Sequence, residues 1–306
     1  MPTRREVLAA ATARLSSAGV ESPEYDAHTL LAHVLGVERS RLPLTDDVPI
    51  SAAEQYDVLV ARRAAREPLQ HLTGIAHFRH VELEVGPGVF VPRPETELLA
   101  GWAVEQARAL VSHRDGSSVV SSGQATSSTD ARGSTGAPTV VDLGTGSGAI
   151  AKAVADEVPA ARVFAVELDD GAHAWAARNL AGTGVELRQG DLADAFDDLA
   201  GTVDIVVSNP PYIPHEAWES VAVEVRDHDP QLALYANGDD GLDTVRVVER
   251  RAALLLRPGG VVGVEHGDAQ GETAPAVFSG SGRWELVRDH PDMTGRPRFL
   301  TARLAR

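Results

Sequence analysis

The sequence predicts an α/β domain on a mostly parallel sheet, preceded by a small helical domain and closed by an antiparallel C-terminal hairpin. Three observations carry that prediction. From residue 139 onward, short apolar runs alternate with helical patterns, the order that builds a parallel sheet with helices on both faces. The first 75 or so residues carry helical periodicity. The last two apolar runs, WELVRDH (284–290) and RFLTARL (298–304), flank a loop and read as a hairpin on the sheet edge.

The elements follow in order. Val7, Leu8, Ala11 and Leu15 recur at helical spacing. Ser22-Pro23 reads as a cap with proline in the first turn, ahead of the apolar face Ala27, Leu30, Leu31, Val34 and Leu35. A third helix is expected from Ser51 to about Arg66. Residues 78–91, FRHVELEVGPGVFV, alternate around a Gly-Pro-Gly turn and predict a short hairpin. The expected division is a helical domain over 1–75, a hairpin linker over 76–93 and the α/β domain over 94–306. Within the last, 94–111 reads as helix. In 112–138, Ser, Thr and Gly fill 15 of 27 positions. Such a segment buries too little apolar surface to offset its ordering entropy, so a mobile surface insert is expected.

Five strands are predicted at 139–143, 161–168, 185–190, 203–208 and 260–266, with helices at 148–157, 169–181 and 241–257. No internal repeat is visible.

Bulk properties exclude several classes. No run of 18 or more apolar residues exists, so no membrane-spanning helix is expected. The N-terminal MPTRREVLAAATARL has a helical period and reads as a folded helix, not a signal peptide. Cysteine is absent, which removes thiol nucleophiles, disulfides and cysteine zinc sites and suits the cytoplasm. A net charge of −16 repels phosphate backbones and argues against a duplex DNA partner.

The chemistry is expected at successive strand ends. Asp142 to Gly148, DLGTGSG, follows the first strand of the sheet. Its glycines allow a tight turn, and the next helix presents free N–H groups there. The spacing is Gly-x-Gly-x-Gly, not the Gly-x-Gly-x-x-Gly of a dinucleotide site, so a small carboxylate such as that of a methionine moiety fits better. Glu167 ends the second strand, where an acid accepts bonds from a ribose diol. Gly190-Asp191-Leu192 ends the third, offering an acceptor for an adenine amino group and an apolar surface for its ring. Gly144, Thr145, Gly146, Ser147, Gly148, Glu167, Asp191 and Leu192 are therefore the expected cofactor contacts. The ordered set points to S-adenosylmethionine.

The fourth strand delivers Asn209-Pro210-Pro211-Tyr212 to the same edge. An amide or amino nitrogen is a poor nucleophile because its lone pair is delocalised. The Asn209 side-chain oxygen and the Pro210 carbonyl can accept its N–H bonds, aim the lone pair at a methyl group and stabilise developing positive charge. Tyr212 can stack on the planar group. The prolines hold this geometry before substrate arrives. Asn209, Pro210 and Tyr212 are the expected catalytic residues, and Asn209, Pro210, Pro211 and Tyr212 the expected substrate contacts.

Across nearly the whole chain outside 112–138, the sequence resembles the protein-(glutamine-N5) methyltransferases that act on peptide chain release factors. The resemblance rests on EPLQHLTG (67–74), VPRPETE (91–97), Asp142 to Gly148, NPPYI (209–213), Asp240-Gly241-Leu242 and Thr294-Gly295 with Arg298. It implies a helical N-terminal domain and a class I methyltransferase domain. It also implies transfer from S-adenosylmethionine to the glutamine of a Gly-Gly-Gln loop, with Gly144 to Gly148, Glu167, Leu192 and Asn209 on the cofactor. Members often carry an aromatic at the position of Leu192; Asp229-Pro230 and Asn237-Gly238 also depart from the pattern. The expected partners are release factors, with no nucleic acid or membrane, and a monomer in the cytoplasm.

Some features stay open or secondary. Pro92 to Glu97 reads either as an ordinary helix start or as a segment laid across the cofactor, bringing Arg93 or Glu97 near it. His71, His77 and His80 straddle a turn without a completing acid and read as structural, so no metal is expected. Glu265-His266, closing the fifth strand, is a secondary candidate. A ribosomal-protein glutamine, adenine in DNA, or a non-catalytic binding role are the rival readings.

Overall fold

The computed structural model describes residues 1–117, 136–236 and 238–306; of 114–117 and Ser220 only the backbone is described. Most of the segment expected as a mobile insert, and Asn237, lie outside the described residues. The chain divides into two units, one made of Met1–Ala76, Val85–Val91 and Ser220–Asp229, the other of the remainder.

In the first unit, α1 (Arg4–Ser17) starts on a reciprocal cap: Glu6 Oε2 accepts from the Thr3 N–H at 2.9 Å while the Thr3 side chain accepts from Glu6. Then follow α2 (Pro23–Leu35), α3 (Ile50–Ala64) and α4 (Leu69–Thr73). Proline opens α2 as expected, but Ser22 makes no side-chain capping bond. Leu8, Leu15, Leu30, Leu31, Tyr56 and Val60 form the core of this unit. Its ionic element is Arg63, 7% exposed, whose Nε donates to Asp26 Oδ2 at 2.7 Å. Arg63 and Arg66 together hold Glu224, with Arg66 Nη2 to Glu224 Oε2 at 2.6 Å.

The predicted hairpin exists but turns elsewhere. Strands β1 (Ile75–Phe78) and β2 (Val81–Glu84) pair around Arg79-His80, not around Gly86-Pro87-Gly88. Arg79 takes the left-handed φ of 52°, normally costly for a side chain. Its guanidinium holds the Glu157 carboxylate at 2.6 and 3.0 Å, which offsets that cost. Helix α5 (Thr96–Ser117) continues past 111 into the segment expected as loop.

The second unit carries the predicted α/β fold. After α5 come β3 (Thr139–Leu143), α6 (Ala149–Glu157), β4 (Arg162–Glu167), α7 (Asp170–Leu180), β5 (Glu186–Gln189) and β6 (Val203–Ser208). The chain then runs through β7 (Ile213–Pro214), α8 (Val223–His228, part of the first unit), α9 (Gln231–Leu234) and β8 (Tyr235–Ala236). It closes with α10 (Asp243–Leu255), β9 (Leu256–Glu265), α11 (Thr273–Gly280), β10 (Trp284–Pro291) and β11 (Pro297–Leu304). The large sheet has the order β10-β11-β9-β6-β3-β4-β5. Strands β5, β4, β3, β6 and β9 run parallel, and β11 and β10 are antiparallel, the expected edge hairpin.

Alternation along each strand sorts the two faces. Val141, Leu143, Val206, Val262 and Val264 pack with Val245, Val248 and Leu255 of α10 and Phe278 of α11. The opposite face takes α5. A Cβ added to Gly263 of β9 would stand 2.6 Å from the Trp102 ring and 2.7 Å from Leu99, so this glycine lets α5 lie close against the sheet. The sheet order reverses at β3, which has β4 on one side and β6 on the other. In parallel sheets ligands bind outside the carboxyl ends of the strands at such a switch. Ser208 at the end of β6 donates to the Leu143 carbonyl at the end of β3 at 2.7 Å, joining the two strands there.

Candidate active site

The turn after β3 is organised from beneath by Asp142. This residue is 1% exposed; its Oδ2 accepts from the Thr145 hydroxyl at 2.6 Å and the Ala151 N–H at 3.2 Å. One carboxylate therefore fixes both the turn and the first turn of α6. The Gly144 and Thr145 N–H groups bond the Val166 carbonyl of β4 at 3.1 and 2.9 Å. Gly144 and Gly146 adopt φ of 74° and 58°, positions that favour glycine. A Cβ added at Gly146 would meet nothing, so this side of the turn is open to a ligand.

The glycine run is not uniform. Gly144 and Gly146 are partly accessible, whereas Thr145, Ser147 and Gly148 are buried. The Thr145 hydroxyl is spent on Asp142, and the Ser147 carbonyl accepts from Asn179 Nδ2 at 2.9 Å. A Cβ on Gly148 would lie 3.0 Å from Leu180 Cγ. The Cα side of the third glycine thus packs against Leu180 of α7.

Glu167 stands beside the open glycine. Its Oε2 accepts from the Gly146 N–H at 2.8 Å, and Oε1 from the Leu168 and Asp169 N–H groups at 2.8 and 2.9 Å. Burial raises its pKa, and these three backbone bonds oppose the shift. Asp191 is exposed and caps the Ala193 N–H at 2.8 Å. Leu192 is half-buried, its Cδ2 3.7 Å from a Cβ placed on Gly144. The three expected strand ends thus lie along one edge, with an apolar side chain next to the turn.

The elbow 209–212 leaves β6 on the other side of the same switch. Its anchors come from three distant segments. Asn209 Nδ2 donates to Thr96 Oγ1, at the start of α5, at 3.1 Å. The Tyr212 carbonyl accepts from Gln270 Nε2 at 3.1 Å; the same Nε2 donates to the Asp240 carbonyl at 2.9 Å, and Gln270 Oε1 accepts from the Gly267 N–H at 2.9 Å. The Tyr212 hydroxyl faces Glu265 Oε1 at 3.5 Å. Burial raises the Tyr212 pKa, with the Glu265 charge adding to it. Glu265 is 2% exposed, and burial pushes its carboxyl up to about 7. His266 is fully buried between the Gly267 carbonyl at 2.9 Å and Asp289 Oδ1 at 2.8 Å.

Within residues 92–97, the Thr96 hydroxyl is the group that accepts from Asn209 Nδ2. The Glu97 carbonyl accepts from Arg79, and Arg93 acts on Tyr212 through its charge. Thr96 was legible only as part of a proline-and-acid helix start, and Gln270 had no signal in the sequence. Among the described residues, no three His, Cys, Asp or Glu side chains are grouped to hold a metal ion.

Asp142 yields a test of pH dependence. Burial pushes its carboxyl up to about 7, against about 4 for an unfolded aspartate. Between those values the folded chain binds more protons than the unfolded chain. The stability contributed by protonation is therefore full below pH ~4 and lost as pH rises through ~7. An asparagine oxygen can accept both Asp142 bonds without titrating. The unfolding midpoint of Asp142→Asn is thus expected to fall less than that of the native chain between pH 5 and pH 8, as thermal melts at the two pH values will read.

A reversed parallel sheet with a glycine turn and an Asn-Pro-Pro-Tyr elbow at its switch point defines a class I methyltransferase. Two family descriptions match, "PrmC N-terminal domain" over residues 6–74 and "Methyltransferase small domain" over 131–234. The chain is 53% identical to a release factor glutamine methyltransferase of Streptomyces coelicolor, over 97% of both chains, and 45% identical to one of Mycolicibacterium smegmatis, over 100% of both. It belongs to the release factor glutamine methyltransferase family. It is also 41% identical, over 95% of its length and 92% of the relative's, to a 4-amino-L-phenylalanine/4-methylamino-L-phenylalanine methyltransferase of Streptomyces pristinaespiralis. Among solved structures, a Thermus thermophilus 16S rRNA N2 G1207 methyltransferase shares 21% identity at a TM-score of 0.45, covering 76% of this chain and 50% of that one.

Proposed function

We propose that this chain transfers a methyl group from S-adenosyl-L-methionine to the side-chain amide nitrogen of the glutamine in the Gly-Gly-Gln loop of a peptide chain release factor. The observation that carries this reading is the elbow itself: a rigid Asn-Pro-Pro-Tyr segment anchored by Thr96 and Gln270 at the sheet's switch point. The cofactor, when bound, supplies an electrophilic methyl group on a sulfonium. Gly144 and Gly146 would line it, Glu167 would take the ribose and Leu192 would lie along the adenine. The open side of Gly146 and the carboxylate beside it suit that group. Asn209 Oδ1 and the Pro210 carbonyl would accept the two N–H bonds of the substrate amide, and Tyr212 would cover its plane. The proton can leave to solvent after transfer, so no base is needed first.

We assign the body of the release factor to the helical segment 1–75 and expect the enzyme to act as a monomer in the cytoplasm. Among the described residues no helix is long and apolar enough to cross a membrane. The test is label transfer from methyl-labelled cofactor to five acceptors. These are a release factor, its Gly-Gly-Gln→Gly-Gly-Ala form, a short Gly-Gly-Gln peptide, 4-amino-L-phenylalanine and duplex DNA. The release factor should be labelled, the alanine form should not, and the peptide should show a higher KM. Preferential labelling of the arylamine or of DNA would replace the proposed substrate.

A further inference from the structure

Asn209 can serve the elbow only with its amide turned one way. The side chain has a donor end and an acceptor end, and only the oxygen can take an N–H from an incoming amide. In the structure Nδ2 donates to Thr96 Oγ1. Thr96 is 4% exposed, so water cannot readily replace that bond. A threonine hydroxyl carries one hydrogen, and where that hydrogen goes decides whether its oxygen is free to accept from Asn209.

The carboxyl beside this hydroxyl is Glu265, at the end of β9: Thr96 favours its ionised form, and its Oε2 is buried without a hydrogen-bond partner among the described residues. The Tyr212 hydroxyl faces the same carboxyl. An ionised carboxylate only accepts. The direction of the whole line is thus set from its buried end. With an ionised Glu265 drawing the Thr96 hydrogen, Thr96 Oγ1 is free to accept from Asn209 Nδ2, and Asn209 Oδ1 is left facing the other way.

We propose, resting on the elbow reading above, that Thr96 and Glu265 are positioning residues that hold the Asn209 amide with its oxygen toward the substrate, ionised Glu265 fixing the direction of each hydrogen bond. The charges facing Glu265 are Arg298, which favours the ionised form, and Glu95, which opposes it; the Thr96 and Tyr212 hydroxyls favour it. Burial outweighs them and brings the carboxyl to about 7. A protonated Glu265 can donate to Thr96. Thr96 can then donate to Asn209, which rewards the flipped amide with its NH2 turned toward the substrate. Protonation therefore switches the elbow off.

The experiment measures kcat, KM and cofactor affinity of the full chain with S-adenosylmethionine and the release factor, from pH 5.5 to 8.5. Native turnover should fall as pH drops through about 7. Thr96→Val, which keeps the shape and removes the hydroxyl, should lose about tenfold in kcat, the worth of one hydrogen bond, with KM and cofactor affinity essentially unchanged. Thr96→Ser should recover most of the loss, and Glu265→Gln should lack the acid limb. Native kcat in Thr96→Val, a serine variant no better than the valine one, or an acid limb that survives in Glu265→Gln overturns the proposal. Asn209→Ala is run alongside: normal turnover there overturns the elbow reading itself, whereas a dead Asn209→Ala with a normal Thr96→Val overturns only the positioning line.

Discussion

Asn209→Ala is expected to lower kcat by on the order of 10²–10³-fold, the typical loss when one preorganised hydrogen-bonding group aimed at developing charge is removed. The variant leaves the backbone between two prolines and β6 in place, so the Pro210 carbonyl and the Tyr212 ring stay where they are. It also leaves the glycine turn and Glu167, which make no bond to Asn209. Cofactor affinity should therefore fall only modestly, as calorimetry will show. The Thr96 hydroxyl loses one donor and nothing else among the described residues bonds to the Asn209 side chain, so folding should be nearly unaffected. Loss concentrated in kcat is the signature of an interaction made in the transition state. Near-native turnover in this variant would mean that the amide is oriented by other groups.

Gly241→Ala should have the largest structural effect near the site. Gly241 has φ of 68°, and a Cβ there would stand 2.4 Å from the Tyr212 carbonyl oxygen and 3.0 Å from Pro214 Cδ. The left-handed backbone alone costs a non-glycine residue about 1–3 kcal/mol. The overlap with backbone cannot be relieved by rotating a side chain. The elbow must move, and with it the carbonyl that Gln270 holds. At roughly 2–4 °C per kcal/mol for a chain of this size, a clear drop in the unfolding midpoint is expected. Methyl transfer should fall as well, even under conditions where the variant is folded. A variant with native stability and native kcat would show that Tyr212 is not pinned from this side.

Much of the site was legible because its residues sit in short local patterns. TVVDL followed by glycines reads as strand and turn from composition alone, and β3 and α6 lie where that pattern ends and begins. Asn209 to Tyr212 were recognisable because prolines stop a buried strand at a fixed point. The misplaced hairpin turn was also local. The Gly-Pro-Gly segment had the better turn composition, yet the hairpin turned at Arg79-His80, where an ion pair to Glu157 offsets an unfavourable φ. The three glycines carried one signature, yet an added Cβ would meet Leu180 at Gly148 and open space at Gly146. A pattern of glycines does not say which of them faces a ligand and which faces a helix.

By itself the sequence determined the order of the five parallel strands and the edge hairpin, the glycine turn, the acid at the end of β4 and the elbow after β6. Each of these is written in residues adjacent in the chain, where periodicity and backbone restriction act directly. Only the tertiary structure decided what holds the elbow. Thr96 and Asn209 are 113 residues apart and Tyr212 and Gln270 are 58 apart. A hydrogen bond between such residues exists only because the sheet order and the close seat of α5 over Gly263 bring their ends together. No local preference encodes that meeting.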